Sequence, residues 1–141
     1  MAAEDTVKKL ADAINRHDVN AFAALFTPDA VIRDPATPQP LKGRDAIRQN
    51  GDGWFKAFPD VQFKVSNSIA KGDTVAIEVV MTGTHKGPLT GPAGTIPPTN
   101  RRMEIRGVGF LRINAQGLIA EERRYYDTVS LMQQLGLMPG S

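Results

Sequence analysis

The stretch that decides the fold is residues 103–126, MEIRGVGFLRINAQGLIAEERRYY. Met103 to Ile113 reads as one strand, Asn114-Ala115-Gln116-Gly117 as a turn, and Leu118 to Tyr126 as a second strand. Upstream, Val61-Gln62-Phe63-Lys64-Val65 alternates as a strand does. Lys71-Gly72-Asp73 makes a turn, and Val75 to Thr84 is a β-branched run, which completes another hairpin. Helices precede these strands. From Asp5 to His17, Val7, Leu10, Ala11 and Ile14 follow the i, i+3, i+4, i+7 pattern of an amphipathic helix. Asp18-Val19-Asn20 interrupts it, and Ala21 to Phe26 reads as a second short helix, with Pro28 as its breaker. Ala30 to Arg33 suits a short strand. Gly43 to Phe58 suits a third helix with Ile47, Trp54, Phe55 and Phe58 as its apolar positions, weakened by Gly51-Asp52-Gly53. Asp127 caps a last helix, Thr128 to Leu135, and Gly136 ends it. Helices grouped before an antiparallel meander define an α+β fold. The expected architecture is a cone-shaped α+β barrel, with N-terminal helices packed on a strongly curved, mainly antiparallel sheet. Such a cone leaves a cavity with an apolar floor.

The 141 residues fit a single domain, 1–141. Without cysteine there is no disulfide, thiol nucleophile or thiolate metal site. Hydrophobic content of 41% and charged content of 23% are those of a globular protein, not a disordered one. Seventeen Lys and Arg face fifteen Asp and Glu, a balance too even for a nucleic-acid partner. No apolar run is long enough to span a membrane, and the acidic start lacks the apolar segment of a signal peptide. A cytoplasmic location follows as the expectation. Asp34 to Pro40 cannot be regular structure, because its prolines remove donors and restrain their predecessors. His85 to Asn100, with four prolines and three glycines, reads as a long loop.

Asp34 is the foremost candidate for chemistry. It ends an apolar strand and precedes Pro35, which biases it to extended geometry. A carboxylate there, facing an apolar cavity, suits a general base that moves a proton α to a carbonyl. The alternative is a turn built by side-chain-to-backbone hydrogen bonds. Glu122, Arg124 and Tyr126 share one face of the last strand by period two, and Glu121, Arg123 and Tyr125 share the other. One trio belongs in the cavity and the other on solvent or a subunit interface. Tyr126 combines apolar bulk with a donor, which suits a pocket. Glu78, inside an apolar run, marks either a wet face or function. His17 ends a helix, where a cation favours the dipole. His85 opens the long loop and can reach the cavity mouth, and Trp54 and Phe58 can line the pocket. The two histidines give no zinc spacing, so no metal is expected. There is no Gly-rich phosphate loop, and no organic cofactor is expected either.

These residues resemble the nuclear-transport-factor-2-like superfamily. Phe26 to Pro35, followed by Pro40, Gly43, Ala46 and Ile47, is similar to the segment around the catalytic aspartate of ketosteroid isomerases. Gly83 to Leu89, Pro97 to Arg101 and the tail from Tyr125 to Gly136 resemble the SnoaL-like polyketide (ester) cyclase branch. The resemblance places the isomerases' general base at Asp34. It places their oxyanion-hole acid, and a cyclase histidine, at Gly109. Their oxyanion tyrosine falls at Leu10, and the cyclases' aspartate at Arg124. The resemblance therefore implies a cofactor-independent proton-transfer enzyme of cyclase or isomerase type, acting on an apolar ketone, ester or polyketide-like substrate. Only Asp34 matches the family's residue; Gly109 and Leu10 cannot do the family's jobs, so Arg124, Tyr126 or His85 would stabilise the developing oxyanion instead. On this reading Asp34, Arg124 and Tyr126 would be catalytic, and Trp54, His85, Glu122 and Phe58 would bind substrate. A homodimer through the outer sheet face is expected. Two other functions fit the residue types. One is a non-catalytic ligand-binding or assembly module. The other is an epoxide hydrolase-like enzyme with Asp34, Glu122 and Arg124 around a water.

Overall fold

The computed structural model describes residues 2–91 and 94–138; Pro92, one of the four prolines between His85 and Asn100, lies outside them. Helix α1 (Ala2–Asn15) carries Glu4 and Asp5 in its first turn, where the helix dipole favours them. It buries Val7, Leu10 and Ala13. The Asn15 amide exchanges two hydrogen bonds with the Phe63 backbone, at 2.9 and 2.7 Å, and fixes the end of the helix to the sheet. Asp18 caps α2 (Val19–Ala24) by accepting the Ala21 N–H.

The second helix ends earlier than expected, because β1 runs from Phe26 to Arg33. Pro28 does not break this strand. It sits where the register with the neighbouring strand shifts, between Phe26 and Val31, so no ladder donor is missed. A two-residue strand, β2 (Leu41–Lys42), pairs back on Val31 and Ile32. Helix α3 (Arg44–Ala57) continues through Gly51-Asp52-Gly53. Gly51 is needed there for contact, since a Cβ would stand 3.0 Å from the Phe22 ring.

Strand β3 (Gln62–Lys71) is twice the expected length, with a bulge between Val65 and Asn67. It pairs with β4 (Thr74–Thr84), which pairs with β7 (Arg102–Ile113), which pairs with β8 (Ile119–Tyr126). The segment expected as a loop holds a small separate hairpin, β5 (Leu89–Gly91) and β6 (Gly94–Ile96). Helix α4 (Thr128–Gln134) starts at Asp127, which accepts the Ser130 N–H.

The main sheet runs β2-β1-β8-β7-β4-β3 and is antiparallel except for β1 against β8. It is open, with β2 and β3 at its edges, so it curls into a cone without closing as a barrel. Its inner residues, such as Val75, Ile77, Met103, Ile105, Leu111 and Ile113, are buried. The core has two parts, one under α1 and α2 and one between α3, β7 and α4. Among the described residues no helix is long and apolar enough to cross a membrane.

Candidate functional site

The cavity lies between the two parts of the core and contains about 120 Å3 of internal space. Leu10, Ile14 and Phe22 wall one side; Trp54 and Phe55 of α3, with Val61 and Phe63, wall another. Val79, Met81 and Ile105 extend the apolar floor. Gly107 and Gly109 also line it. They stand opposite Tyr126 and Arg124 in the β7–β8 ladder.

The strand pairing builds the polar end. Parallel β1 and β8 set Ile32 beside Glu122 and Arg33 beside Arg123, which carries Asp34 to the level of Arg124. Period two turns Glu122, Arg124 and Tyr126 inward, and all three line the cavity with Asp34. Arg124 Nη1 donates to Asp34 Oδ2 at 3.0 Å, and Nε donates to Glu122 Oε2. The Asp34 and Glu122 side chains are 2% and 8% exposed, so the pairs are dry. Tyr126 donates its hydroxyl to Asp34 Oδ1 at 2.7 Å. One guanidinium thus bridges two carboxylates, and a phenol completes the first of them.

Asp34 also belongs to a turn. Its Oδ1 accepts the Ala36 N–H at 2.8 Å, and its carbonyl accepts the Thr37 N–H. The turn therefore forms, and it orients a carboxylate that also lines the cavity. Burial works against the Arg124 charge, but Glu122 and Asp34 outweigh it and hold the guanidinium above its ordinary value. Burial, then the negative charge and hydrogen bond of Asp34, push Tyr126 well above the ordinary phenol value. Tyr126 stays a donor.

Trp54 lines the cavity, stacks on Phe58 at 5.7 Å and meets Tyr126 edge-on. Phe58 stands behind it, fully buried and away from the lining. His85 departs further from expectation. It does not reach the cavity mouth but is fully buried against Phe58, with ring centroids 5.5 Å apart. The cause is local: Ala57 O accepts the Lys86 and Gly87 N–H groups and folds the start of the segment back onto α3. His85 Nδ1 accepts the Thr99 N–H at 3.2 Å, and burial lowers the ring's pKa against a weaker opposing effect of Gly87. His17 is held by the Val61 carbonyl, and Glu78 sits on the outer face beside Asn67.

Sequence reasoning missed Asn50. Its Oδ1 accepts from Arg124 Nη1 at 3.0 Å, and the residue lines the cavity. The signal was present: Ile47, Asn50, Gly51 and Trp54 follow i, i+3, i+4, i+7, which puts a lone polar residue on an apolar helix face. Among the described residues no three His, Asp or Glu side chains converge as metal ligands.

The model of the SnoaL-like polyketide cyclase family matches residues 4–135, and the chain belongs to that family. Its fold is close to that of IdmH, a proposed polyketide cyclase from Streptomyces antibioticus. That structure is 30% identical, with a TM-score of 0.77, over 95% of this chain and 98% of the other. AclR, a proposed hydroxylase from Streptomyces galilaeus, is 27% identical with a TM-score of 0.82, over 99% and 83%. A protein of ketosteroid isomerase-like fold from Catenulispora acidiphila DSM 44928, in complex with trimethylamine, is 25% identical with a TM-score of 0.78, over 94% and 93%. No curated protein matches the sequence.

Proposed function

We propose that the protein is a cofactor-independent acid–base enzyme of cyclase or isomerase type. It acts on an apolar ketone, ester or polyketide-like substrate and works as one domain, in the cytoplasm, as a homodimer. One observation carries this: a dry carboxylate, Asp34, stands with a guanidinium and a phenol at the polar end of an otherwise apolar cavity. Asp34 takes a proton from the carbon α to a carbonyl, and the C–H electron pair moves onto the carbonyl oxygen as an enolate. Arg124 and Tyr126 stabilise that oxygen. In an isomerisation Asp34 returns the proton to another carbon. In a cyclisation the enolate carbon bonds to a second carbonyl carbon of the substrate, and the new alkoxide recovers the proton from Asp34. Trp54 and the apolar walls exclude water. Glu122 orients Arg124.

The test is proton exchange in heavy water with a panel of apolar ketones and esters, followed by NMR. Loss of the α-proton signal catalysed by the wild type, and absent with Asp34→Asn, is the expected result. A panel that binds but never exchanges or turns over would leave a ligand-binding module. The bridge from Asp34 through Arg124 to Glu122 favours a second reading, an epoxide hydrolase-like enzyme. There one carboxylate takes a proton from a water whose oxygen attacks an epoxide carbon. The other, starting as a protonated carboxylic acid, gives its proton to the epoxide oxygen as the C–O bond opens to a diol.

A further inference from the structure

The donors at the polar end are nearly all committed. Arg124 gives Nε to Glu122 and Nη1 to both Asp34 and Asn50. Tyr126 gives its one hydrogen to Asp34. Arg124 Nη2 and the Asn50 amide nitrogen are left, and neither makes a hydrogen bond among the described residues. Neither is sealed away, since the one fully enclosed side-chain atom without a partner there is His85 Nε2.

The orientation of Asn50 is dictated by charge. A guanidinium only donates, so the atom facing Arg124 must be the amide oxygen. Nδ2 with its two hydrogens is thereby turned away from Arg124, on a residue that lines the cavity. Helix α3 holds the backbone, and Arg124 itself is clamped by two carboxylates, so this donor is positioned before any ligand arrives. Two carboxylates against one guanidinium disfavour an anionic ligand. They leave a neutral oxygen as the fitting partner.

We infer that the Asn50 Nδ2 amide is a substrate-binding donor that grips a neutral carbonyl, ester or epoxide oxygen beside Arg124, and that Asn50 is therefore a further catalytic residue. This rests on the proposal that the cavity takes an oxygen-bearing apolar substrate, and it adds the group that holds the oxygen before the proton moves. Tyr126 can then remain with Asp34 in the resting state and shift to the oxygen as charge develops.

Three naphthalenes test it: acetylnaphthalene, ethylnaphthalene and naphthoate. Binding is read from the fluorescence of Trp54, the single tryptophan, and the ketone is also read from its carbonyl stretch by isotope-edited infrared spectroscopy. In the wild type the ketone should bind about fivefold tighter than the hydrocarbon, the worth of one net hydrogen bond. The anion should bind weakest, and the stretch should move to lower wavenumber. Asn50→Leu and the isosteric Asn50→Asp should both erase the ketone preference and the shift, with hydrocarbon affinity kept. A preference and shift that survive in either folded variant would overturn the inference. So would a wild type that binds both neutral probes equally with no shift, which leaves the apolar pocket standing. A wild type that binds none of the three overturns the inference together with the pocket beneath it.

Discussion

Gly109 stands directly across the β7–β8 ladder from Arg124. A side chain at this position would project toward the cavity beside the guanidinium, so its absence leaves room for a ligand there. A Cβ would meet Ile77 at 3.4 Å, an ordinary contact, so the backbone does not demand glycine. Gly109→Ala should therefore fold with little change in melting temperature. Gly109→Leu should fold as well but weaken binding of apolar ketones by about tenfold or more, through filled volume. Titration of Trp54 fluorescence checks both, and a leucine variant that binds as the wild type does would remove Gly109 from the site.

Asp34→Asn keeps the shape and removes the proposed base. Turnover of any substrate found should fall by at least about 100-fold, with ligand affinity largely kept, because a base acts on the barrier. Thermal stability should also fall, because Arg124 loses one of two buried partners. Paired kinetics and melting curves separate the two effects.

Glu122→Gln distinguishes the two chemistries. If Asp34 alone moves the proton, Glu122 only orients Arg124, and kcat should drop by roughly tenfold. An epoxide-opening enzyme needs both carboxylates, so the same variant should then be inactive. Assays of one variant on a ketone and on an epoxide of similar shape decide between them.

His85 makes stability depend on pH. Burial lowers its pKa below the ordinary 6.5, so the unfolded chain takes up a proton before the folded one does. Stability should thus be insensitive to this group above pH 6.5 and fall as the pH drops below it. His85→Gln removes the titration. The loss of melting temperature between neutral pH and about pH 5 should be smaller in the variant than in the wild type. Equal losses would show that other groups govern the acid limb.

The outer sheet face carries Val80, Val108, Phe110 and an exposed Tyr125, rimmed by Arg106, Arg123 and Glu104. Phe110 packs against Tyr125 at 6.1 Å and under Arg123 at 5.3 Å. This face fits the proposed homodimer. Light scattering should show a dimer for the wild type and a monomer for Phe110→Asp, while a wild-type monomer at micromolar concentration would dismiss it.

Long periodic elements were legible because local pattern and tertiary packing agree there. Period two on the last strand grouped Glu122, Arg124 and Tyr126 without knowledge of their neighbours. Asp34 stood out through Pro35. Elements that depend on distant partners were not legible. Ser66-Asn67-Ser68 has little strand character of its own and becomes β3 only because β4 pairs with it. Leu41 and Lys42 form a strand because Val31 and Ile32 are beside them. Pro28 marks a breaker locally, yet the bulge in the β1–β8 pairing accommodates it. His85 looked like a residue of an open loop until the Ala57 carbonyl drew its neighbours inward.

The parallel seam between the first and last long strands also sets when the site comes into being. Asp34 and Arg124 are 90 residues apart, and their contact closes most of the chain into one loop. Joining such distant ends is entropically unfavourable and slow compared with forming hairpins, whose partners are neighbours. A ribosome releases Asp34 long before it makes β8, so the nascent N-terminal half carries Asp34, its turn and the helices without Arg124, Glu122 or Tyr126. The cluster of Asp34, Glu122, Arg124 and Tyr126 is complete only when β8 has been made and docks against β1. Assembly of the proposed site is thus tied to the docking of the last strand.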